Sequence, residues 1–397
     1  MSLNNTPSSE RLHIGFFGLR NAGKSSLVNA VTAQKLSLVS EIKGTTTDPV
    51  RKAMELLPLG PVVIIDTPGL DDEGALGQMR VSRARDMLSS VHIAVIVADA
   101  LKGLSEEDKS LAAELKSRKL PFVIAMNKAD LLGSVPENSG DTIYVSAEKN
   151  IGINELKEKI AALADGAKTN KKILSDLVAK GDTVMLVTPI DESAPKGRLI
   201  LPQQQTIREL LESGCISIVV QVDEITAALS NLKVPPKLVI TDSQAFGAVA
   251  KLLPENIKLT SFSILFARYK GDLSVVVGGA DKLSKLKDGD RILISEGCTH
   301  HRQCKDIGTV KLPDWIRSFS GKALNFSFTS GGDFPEDLSE YALVVHCGGC
   351  TLNENEMKNR LERCRQQGIP VTNYGTAIAE MNGILRRSLQ AFENYEL

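Results

Sequence analysis

Three cysteines and two histidines in the C-terminal part of the sequence are the side chains with the clearest capacity for chemistry. His346, Cys347 and Cys350 form an H-C-x-x-C motif, and Cys298 and His300 lie upstream of it. Thiolate and imidazole groups are the usual protein ligands of zinc and of iron–sulfur clusters. These residues therefore predict a metal site, although they do not by themselves identify the metal.

Alternating apolar and amphipathic segments predict the elements that must position this site. Strands are expected at 291–295, 324–329, 341–345 and 370–373, and helices at 282–286, 356–367 and 377–389. This alternation is typical of a parallel α/β sheet, in which ligands bind at the carboxyl ends of the strands. Because Cys298 and the H-C-x-x-C motif each follow a predicted strand, we expect their thiols to meet at one edge.

Three kinds of site fit these ligands. Zinc needs four closed ligands, which the three thiols could complete with His300 or His346. A 4Fe-4S cluster needs four iron ligands, so three thiolates leave one iron with a weak or exchangeable partner. Thiols that undergo redox chemistry without a metal are the third alternative. The two glycines between Cys347 and Cys350 favour the cluster, because their backbone N–H groups can approach its sulfurs closely.

A second set of motifs near the N-terminus predicts a nucleotide site. An apolar strand at 13–17 runs into G-x-x-x-x-G-K-S at 18–25, and a helix follows over 27–32. In this context the loop amides bind a β-phosphate, Lys24 reaches the β- and γ-phosphates, and the Ser25 hydroxyl ligates Mg²⁺. The predicted nucleotide-binding residues of this loop are Asn21, Ala22, Gly23, Lys24, Ser25 and Ser26.

Two further segments complete the expected phosphate and magnesium site. Asp66 ends a buried strand in D-T-P-G, where its carboxylate can hold Mg²⁺ through water and the Gly69 N–H can sense the γ-phosphate. Thr46 lies in the polar segment G-T-T-T-D and can bring its hydroxyl to the Mg²⁺. Lys24, Thr46, Asp66 and Gly69 are thus the predicted catalytic residues.

Base recognition is predicted from two later segments. Asn127, Lys128 and Asp130 form N-K-x-D after an apolar strand, and Ser146 and Ala147 follow the next one. The Asp130 carboxylate can accept both N–H groups of the N1/N2 edge of guanine, which adenine lacks. A backbone amide of Ser146–Ala147 can donate to guanine O6, so the expected nucleotide is GTP.

In this order the five motifs resemble the translation-factor-related GTPases, which have a Ras-like fold. N-A-G-K-S with G-T-T-x-D is similar to the TrmE–Era subgroup, the tRNA-modification and ribosome-assembly GTPases, and this resemblance implies that Asn21 helps to coordinate K⁺. Leu70 stands where Ras-like enzymes have a water-orienting glutamine, so slow hydrolysis is expected. Asp71, Asp72 and Glu73 are candidates for activating water, a solvated acidic loop is the other interpretation of these three residues, and the water-activating residue stays open.

Composition limits the class of protein. The chain has 397 residues, of which 42% are hydrophobic and 24% charged, so two or three domains are expected. A formal net charge of −1 argues against nucleic acid or an anionic membrane as a partner. Six cysteines are too few for a disulfide framework, and the N-terminus lacks the pattern of a signal peptide, so a cytoplasmic protein is expected.

The middle of the chain has no catalytic motif. After a lysine-rich linker at 165–172, strands are predicted at 183–187, 216–222 and 237–241, with helices at 204–213, 224–232 and 243–253. These repeats predict a small parallel sheet whose default role is contact with a subunit or partner. The expected fold is α/β with three domains: a P-loop GTPase at 8–165 and two smaller parallel-sheet domains at 172–260 and 261–397.

Longer segments resemble one family throughout the chain. C-T-H-H at 298–301, D-I-G-T-V-K-L-P at 306–313, H-C-G-G-C at 346–350 and A-P-K-G-R-L-I-L-P at 194–202 are similar to HydF, the family of GTPase maturases of iron–iron hydrogenases. The resemblance implies a 4Fe-4S cluster on Cys298, Cys347 and Cys350, with His300 or His346 as a fourth ligand or as support.

The same resemblance implies a set of partners. It implies a homodimer formed through the middle domain and a transient di-iron precursor made by two radical-SAM maturases. The precursor would then pass to the apo iron–iron hydrogenase. Two alternatives stand beside this reading: a GTPase of RNA modification or ribosome assembly with a zinc-stabilised last domain, and a carrier in which GTP only switches conformation.

Overall fold

The computed structural model describes residues 6–33, 50–69, 87–167, 171–190, 199–298 and 307–392. The chain forms two compact units, Met1–Asn170 and Lys171–Leu397. Each unit has its own sheet structure and core.

The described part of the N-terminal unit contains a six-stranded sheet in the order β2-β3-β1-β4-β5-β6. Its strands are β1 (Leu12–Phe17), β2 (Val50–Leu56), β3 (Gly60–Asp66), β4 (Ile93–Asp99), β5 (Phe122–Asn127) and β6 (Thr142–Tyr144), and its helices are α1 (Lys24–Thr32), α2 (Glu106–Ser117) and α3 (Ile153–Ala167). All neighbouring strands run parallel except β2, which is antiparallel to β3.

Both faces of this sheet are covered, which explains the apolar character of its central strands. Residues of β1, β4 and β5 divide between two hydrophobic clusters on opposite faces. The start of α2 is fixed by a reciprocal cap, because the Ser105 hydroxyl accepts from the Asp108 N–H and the Asp108 carboxylate accepts from the Ser105 N–H, both at 3.1 Å. Because β1, β3, β4, β5 and β6 run parallel, their carboxyl ends and the loops that follow them lie at one edge of the sheet.

Two four-stranded sheets make up the described part of the C-terminal unit, in the orders β10-β9-β7-β8 and β12-β11-β13-β14. All pairs are parallel. The strands are β7 (Thr183–Val187), β8 (Ile216–Val220), β9 (Leu238–Thr241), β10 (Leu259–Ser261), β11 (Arg291–Glu296), β12 (Asn325–Ser330), β13 (Leu343–His346) and β14 (Val371–Asn373). The helices are α4 (Leu201–Glu212), α5 (Ile225–Ser230), α6 (Phe246–Leu252), α7 (Phe262–Lys270), α8 (Leu273–Ala280), α9 (Leu312–Ser320), α10 (Glu354–Gln366), α11 (Tyr374–Met381) and α12 (Leu385–Leu389).

One hydrophobic cluster joins the two sheets of this unit. Leu186 of β7 and Val344 of β13 belong to it, together with Phe266 of α7 and Val276 of α8. The predicted boundary at residues 260/261 therefore falls inside β10, within a unit whose two sheets share a core. The connecting helices α7 and α8 carry much of this shared core, and the sequence pattern did not predict them.

The predicted elements of the C-terminal unit agree with the observed ones except at a few places. The predicted helix at 377–389 is two helices, α11 and α12, because Gly383 has a φ of 67° and ends the first. The predicted helix at 282–286 is a 3₁₀-helix, Asp281–Lys285. Helix α9 and strand β10 were not predicted.

None of the described helices is both long and apolar enough to span a membrane.

Candidate functional sites

The loop between β1 and α1 is held in a curled form by two close approaches. Gly18 has a φ of 144°, and a Cβ there would lie 2.1 Å from the Val97 carbonyl oxygen. Gly23 has a φ of 87°, and a Cβ there would lie 2.3 Å from the Asn127 side-chain nitrogen. Both glycines of the predicted phosphate-binding motif are thus required by space as well as by backbone conformation.

The predicted lysine of this loop is buried within it. The Lys24 ammonium donates to the carbonyl oxygens of Gly18 at 2.9 Å and Leu19 at 2.8 Å. Lys24 is 9% exposed, so its charge lies inside the concave side of the loop. A phosphate bound there would meet this charge and the N-terminus of α1 together.

Two of the predicted magnesium ligands meet beside the loop. The Ser25 hydroxyl donates to one carboxylate oxygen of Asp66 at 2.9 Å. The other carboxylate oxygen of Asp66 is buried and has no hydrogen-bond partner among the described residues. Burial raises the pKa of Asp66, while Ser25 and Lys24 act in the opposite direction. A buried carboxylate oxygen beside a hydroxyl suits a hard divalent cation such as Mg²⁺.

Asn127 joins the predicted guanine-binding segments to the phosphate loop. Its side chain donates to the Ala22 carbonyl oxygen at 3.0 Å and accepts from the Ala147 N–H at 3.1 Å. Lys128 has a φ of 65° and forms an ion pair with Asp99 at 2.6 Å. Three loops at the ends of β1, β5 and β6 are therefore fixed to one another, as a base-binding site requires.

The remaining nucleotide-site predictions have different outcomes. Asn21, the predicted K⁺ ligand, is exposed and has a φ of 63°. Asp130 and Ser146 follow β5 and β6 as expected, and Gly69 follows β3. Thr46, Leu70, Asp71, Asp72 and Glu73 lie outside the described residues.

The three predicted cluster cysteines lie at the carboxyl ends of neighbouring strands. Cys298 follows β11 and Cys347 follows β13, and these strands pair so that Ser295 lies beside His346. Burial raises the pKa of the Cys347 thiol, and the neighbouring thiols of Cys298 and Cys350 add to this shift. The sheet thus brings together thiols that are far apart in sequence.

Backbone amides surround the Cys347 sulfur. Gly297 N–H donates to it at 3.0 Å and Gly349 N–H at 3.3 Å. The Thr351 hydroxyl also donates to the Gly297 carbonyl oxygen at 2.7 Å, which ties the two cysteine loops together. Hydrogen bonds of this kind stabilise a metal-bound thiolate.

His346 is engaged through both ring nitrogens. Nδ1 lies 2.8 Å from the Cys347 carbonyl oxygen, and Nε2 lies 3.0 Å from the Arg360 guanidinium. Because arginine can only donate, Nε2 accepts and Nδ1–H donates. Burial and the neighbouring Arg360 lower the pKa of His346 to about 3. Of the two roles predicted for His346, this geometry favours support of the cysteine loop over direct ligation.

Two buried, positively charged side chains near this loop are not predicted by the sequence motifs. Arg360 of α10 also donates to the Gly331 carbonyl oxygen at 2.7 Å and pairs with Glu356 at 3.0 Å. Lys270 of α7 donates to the carbonyl oxygens of Cys350 at 3.0 Å and Leu352 at 2.8 Å. Neither residue belongs to a motif, and only folding brings them beside the cysteines.

The protonation of the thiols bears on the redox alternative. Burial raises the pKa of Cys347 to about 12, although the Gly297 and Gly349 amides oppose this shift. Burial also raises the pKa of Cys350, and Lys270 opposes it. Thiols with raised pKa are poor nucleophiles at neutral pH, so this site does not suit free redox thiols.

The arrangement of possible ligands bears on metal binding. Among the described residues, no group of three or more His, Cys, Asp or Glu side chains is arranged to hold a metal ion. His300, the other candidate fourth ligand, lies outside those residues. The amide donors around Cys347 nevertheless fit a sulfur that becomes a metal-bound thiolate.

The sequence matches three protein families. Residues 274–391 match the hydrogen maturase F tetramerization domain, and residues 173–271 match the hydrogen maturase F dimerization domain. Residues 13–128 match a family described as 50S ribosome-binding GTPase, so this part of the chain is a GTPase domain. The two maturase matches together span more than half of the chain.

Curated relatives align with a smaller part of the chain. The tRNA modification GTPase MnmE of Nitrosospira multiformis is 33% identical over 156 residues, which are 38% of this chain and 34% of the relative. GTPase Der of Kosmotoga olearia is 31% identical over 175 residues, 39% of each chain. The chain thus spans only between a third and two fifths of the length of these relatives.

Solved structures with similarity to the chain include Era and a probable GTP-binding protein, EngB. Era of Aquifex aeolicus is 18% identical with a TM-score of 0.34, and the match covers 53% of this chain and 92% of Era. A probable GTP-binding protein, EngB, is 22% identical with a TM-score of 0.32, covering 39% of this chain and 99% of the other.

Proposed function

The chain belongs to the hydrogen maturase F family, and from this premise we propose that it is a GTP-hydrolysing scaffold in the maturation of iron–iron hydrogenases. Its C-terminal unit holds a 4Fe-4S cluster on Cys298, Cys347 and Cys350. It receives a di-iron precursor, as cargo, from two radical-SAM maturases and delivers this precursor to the apo-hydrogenase.

The observation that carries this proposal is the arrangement around Cys347. Two backbone amides donate to its sulfur, one from its own loop and one from the loop that contains Cys298. Cysteines that only fill a core do not need such donors, whereas a cluster thiolate is stabilised by them.

Three cysteines suit a scaffold better than a permanent electron carrier. A cluster held by three thiolates keeps one iron without a protein sulfur, and that iron can take an exchangeable ligand. The precursor needs such a position if it is to bind and then leave. The fourth ligand, for which His300 is a candidate, stays a prediction.

The N-terminal unit supplies GTP binding and hydrolysis in this proposal. Lys24 and the loop amides hold the phosphates, while Ser25, Asp66 and Thr46 hold Mg²⁺. Asn127 keeps the base-binding and phosphate-binding loops in register, which supports binding of a whole nucleotide. Asn21 is the proposed K⁺ ligand.

Metal analysis tests the cluster directly. Wild-type protein that is purified and reconstituted without oxygen should contain about four irons per chain. Alanine at Cys298, Cys347 or Cys350 should lower this iron content. Cys215→Ala should not, because Cys215 directly precedes β8 in the middle sheet and is not one of the proposed ligands. A colourless, zinc-loaded wild-type protein would reject the cluster, and copurifying RNA would favour the RNA-modification alternative.

Delivery to the apo-hydrogenase tests the role of GTP. Lys24→Ala removes the charge that faces the phosphates, so we expect loss of GTP hydrolysis and of hydrogenase activation in the same assay. If hydrolysis is lost while activation is unchanged, GTP chemistry is dispensable for delivery. A rate of hydrolysis that is equal in K⁺ and Na⁺ would reject the role of Asn21.

A second copy of the chain is the proposed partner of the middle sheet. Within the described residues β8 is an outer strand, and its Ile216 and Val219 are 55% and 44% exposed. These two side chains point to opposite faces, so the described residues of the unit leave apolar surface open on both faces of this edge strand. An edge strand with exposed apolar side chains is a template for pairing with another strand.

A proline substitution at Val219 can block this pairing without removing a hydrogen bond that the monomer uses. Ile216 N–H donates to Asp182, and the Val220 carbonyl oxygen accepts from Thr188, so β8 uses its even-numbered residues to pair with β7. The Val219 N–H therefore points away from the sheet. Val219→Pro should convert dimers to monomers in sedimentation, and Val219→Thr is the control. A proline variant that stays dimeric would place the interface elsewhere.

A further inference from the structure

Lys270 has no counterpart in the motifs of either site. It ends α7, the helix that directly follows β10, the last strand of the middle sheet. Although lysine is ordinarily a surface residue, Lys270 is only 2% exposed. A lysine this deeply buried needs strong local interactions.

The ammonium group of Lys270 is directed at the loop of Cys350. It donates to the carbonyl oxygen of Cys350 at 3.0 Å and to that of Leu352 at 2.8 Å. It also lies 5.8 Å from the centre of the Phe266 ring, on its own helix. The aromatic ring and the two carbonyl dipoles all orient the positive charge at the end of the H-C-x-x-C motif.

The loop is held at both of its cysteines. Cys347 is fixed by amides from two loops, and its carbonyl oxygen accepts from His346. The corresponding carbonyl oxygen of Cys350 is held by Lys270, from a helix of the other sheet. Each motif cysteine therefore has its own carbonyl oxygen fixed by a buried side chain.

We propose that Lys270 is a positioning residue for the cluster, which holds the Cys350 loop in its binding conformation and stabilises the negative charge of the reduced cluster. This inference rests on the proposed 4Fe-4S site. A fixed positive charge beside the thiolates favours the state with one more electron, so it raises the reduction potential. Its removal should make the potential more negative.

Two substitutions separate the charge of Lys270 from its hydrogen bonds. Lys270→Met keeps the unbranched apolar part of the side chain but removes both the charge and the donors, whereas Lys270→Gln removes the charge and keeps an N–H donor. Lys251→Met, at an exposed lysine of α6, is the matched control. In a titration with dithionite followed by electron paramagnetic resonance, both Lys270 variants should show a more negative midpoint potential than wild type and Lys251→Met.

The apo-protein provides a readout that needs no cluster. The Leu352 N–H donates to the Gly349 carbonyl oxygen at 3.0 Å, so its hydrogen exchange reports on the order of the loop. Loss of the two bonds from Lys270 should accelerate this exchange about tenfold in Lys270→Met, with a smaller effect in Lys270→Gln. Lys251→Met should exchange like wild type.

Each result decides a separate claim. If wild-type protein binds no iron, the proposed cluster fails, while the exchange experiment still tests the hold of Lys270 on the loop. If wild type binds the cluster and both Lys270 variants keep its potential, the charge has no electrostatic role. Unchanged Leu352 exchange in Lys270→Met overturns the positioning role. If Lys270→Met cannot be loaded with iron, the midpoint potential of Lys270→Gln decides whether the charge has an electrostatic role.

Discussion

Adjacent glycines in the H-C-x-x-C motif allow a sharp test of the cysteine loop. Gly349 has a φ of 63°, and a Cβ there would lie 2.1 Å from the Met357 methyl carbon. Gly348 does not have a left-handed φ, and a Cβ there would meet its nearest neighbour, Ser263 Oγ, at 3.4 Å. Gly349→Ala should therefore be destabilising, and Gly348→Ala serves as its matched control.

The expected cost of Gly349→Ala comes mainly from the backbone. Alanine in the left-handed region costs about 1–2 kcal/mol. The Met357 methyl group is the flexible end of a side chain, so we expect it to move aside. For the C-terminal unit, a cost of this size corresponds to a fall in Tm of about 2–8 °C. Gly348→Ala should lie within about 0.5 kcal/mol of wild type.

The fluorescence of the single tryptophan, Trp315, makes this measurement specific to the C-terminal unit. Urea titrations of apo-protein should give the free energy difference, and reconstitution should give a lower iron content for Gly349→Ala, because its N–H donates to Cys347. Gly349→Ala in a Met357→Ala background should still cost about 1–2 kcal/mol if the strain of the left-handed backbone is the main cause. Equal stability of the two alanine variants would refute the reasoning.

Three more predictions concern the nucleotide unit. Asn127→Ala should weaken GTP binding, measured by calorimetry, and lower stability by about 1–3 kcal/mol, because the Ala22 carbonyl oxygen and the Ala147 N–H lose their partner; unchanged affinity would show that the loops align without it. Gly18→Ala should abolish GTP binding, because its Cβ cannot be accommodated beside Val97, and retained binding would contradict the tight approach. Burial lowers the pKa of His13, so its neutral form is favoured in the folded state and stability should fall as the pH drops below about 6.5. Hydrogen exchange of β1, corrected for intrinsic rates, should show this slope in wild type and a smaller one in His13→Gln; equal slopes would exclude His13 as the cause.

Parallel α/β architecture made much of the fold and of the candidate cysteine site predictable. The run at 183–187 is a buried strand with the predicted bounds, because its side chains are apolar on both faces. Cys298 and Cys347 follow paired strands, so the rule for parallel sheets was enough to place them at one edge. The sequence contains this information because it is local to each strand.

Contacts between distant side chains could not be predicted in the same way. Lys270 and Arg360 lie on helices, where a charged residue ordinarily faces solvent. The adjacent residues in the sequence do not distinguish them from exposed lysines and arginines. Helix α8 was also missed, since Gly278 and Gly279 interrupt its helical propensity; in the fold, a Cβ on Gly279 would lie 1.9 Å from the Val371 carbonyl oxygen. Close approach between elements, rather than propensity, selects these residues.

The histidine of H-C-x-x-C shows how a contact between distant side chains changes the role inferred for a motif residue. From its position beside two cysteines, His346 was a candidate ligand, but its ring lies between the Arg360 guanidinium and the Cys347 carbonyl oxygen. Arginine donates to Nε2, so the proton is on Nδ1 and fixes the carbonyl oxygen of the neighbouring cysteine. Asparagine or glutamine could bond to one of these partners, but a planar ring with a nitrogen on each side can bridge both. The histidine is therefore explained by the bridge it makes, and in the proposed cluster the fourth iron ligand has to come from another group.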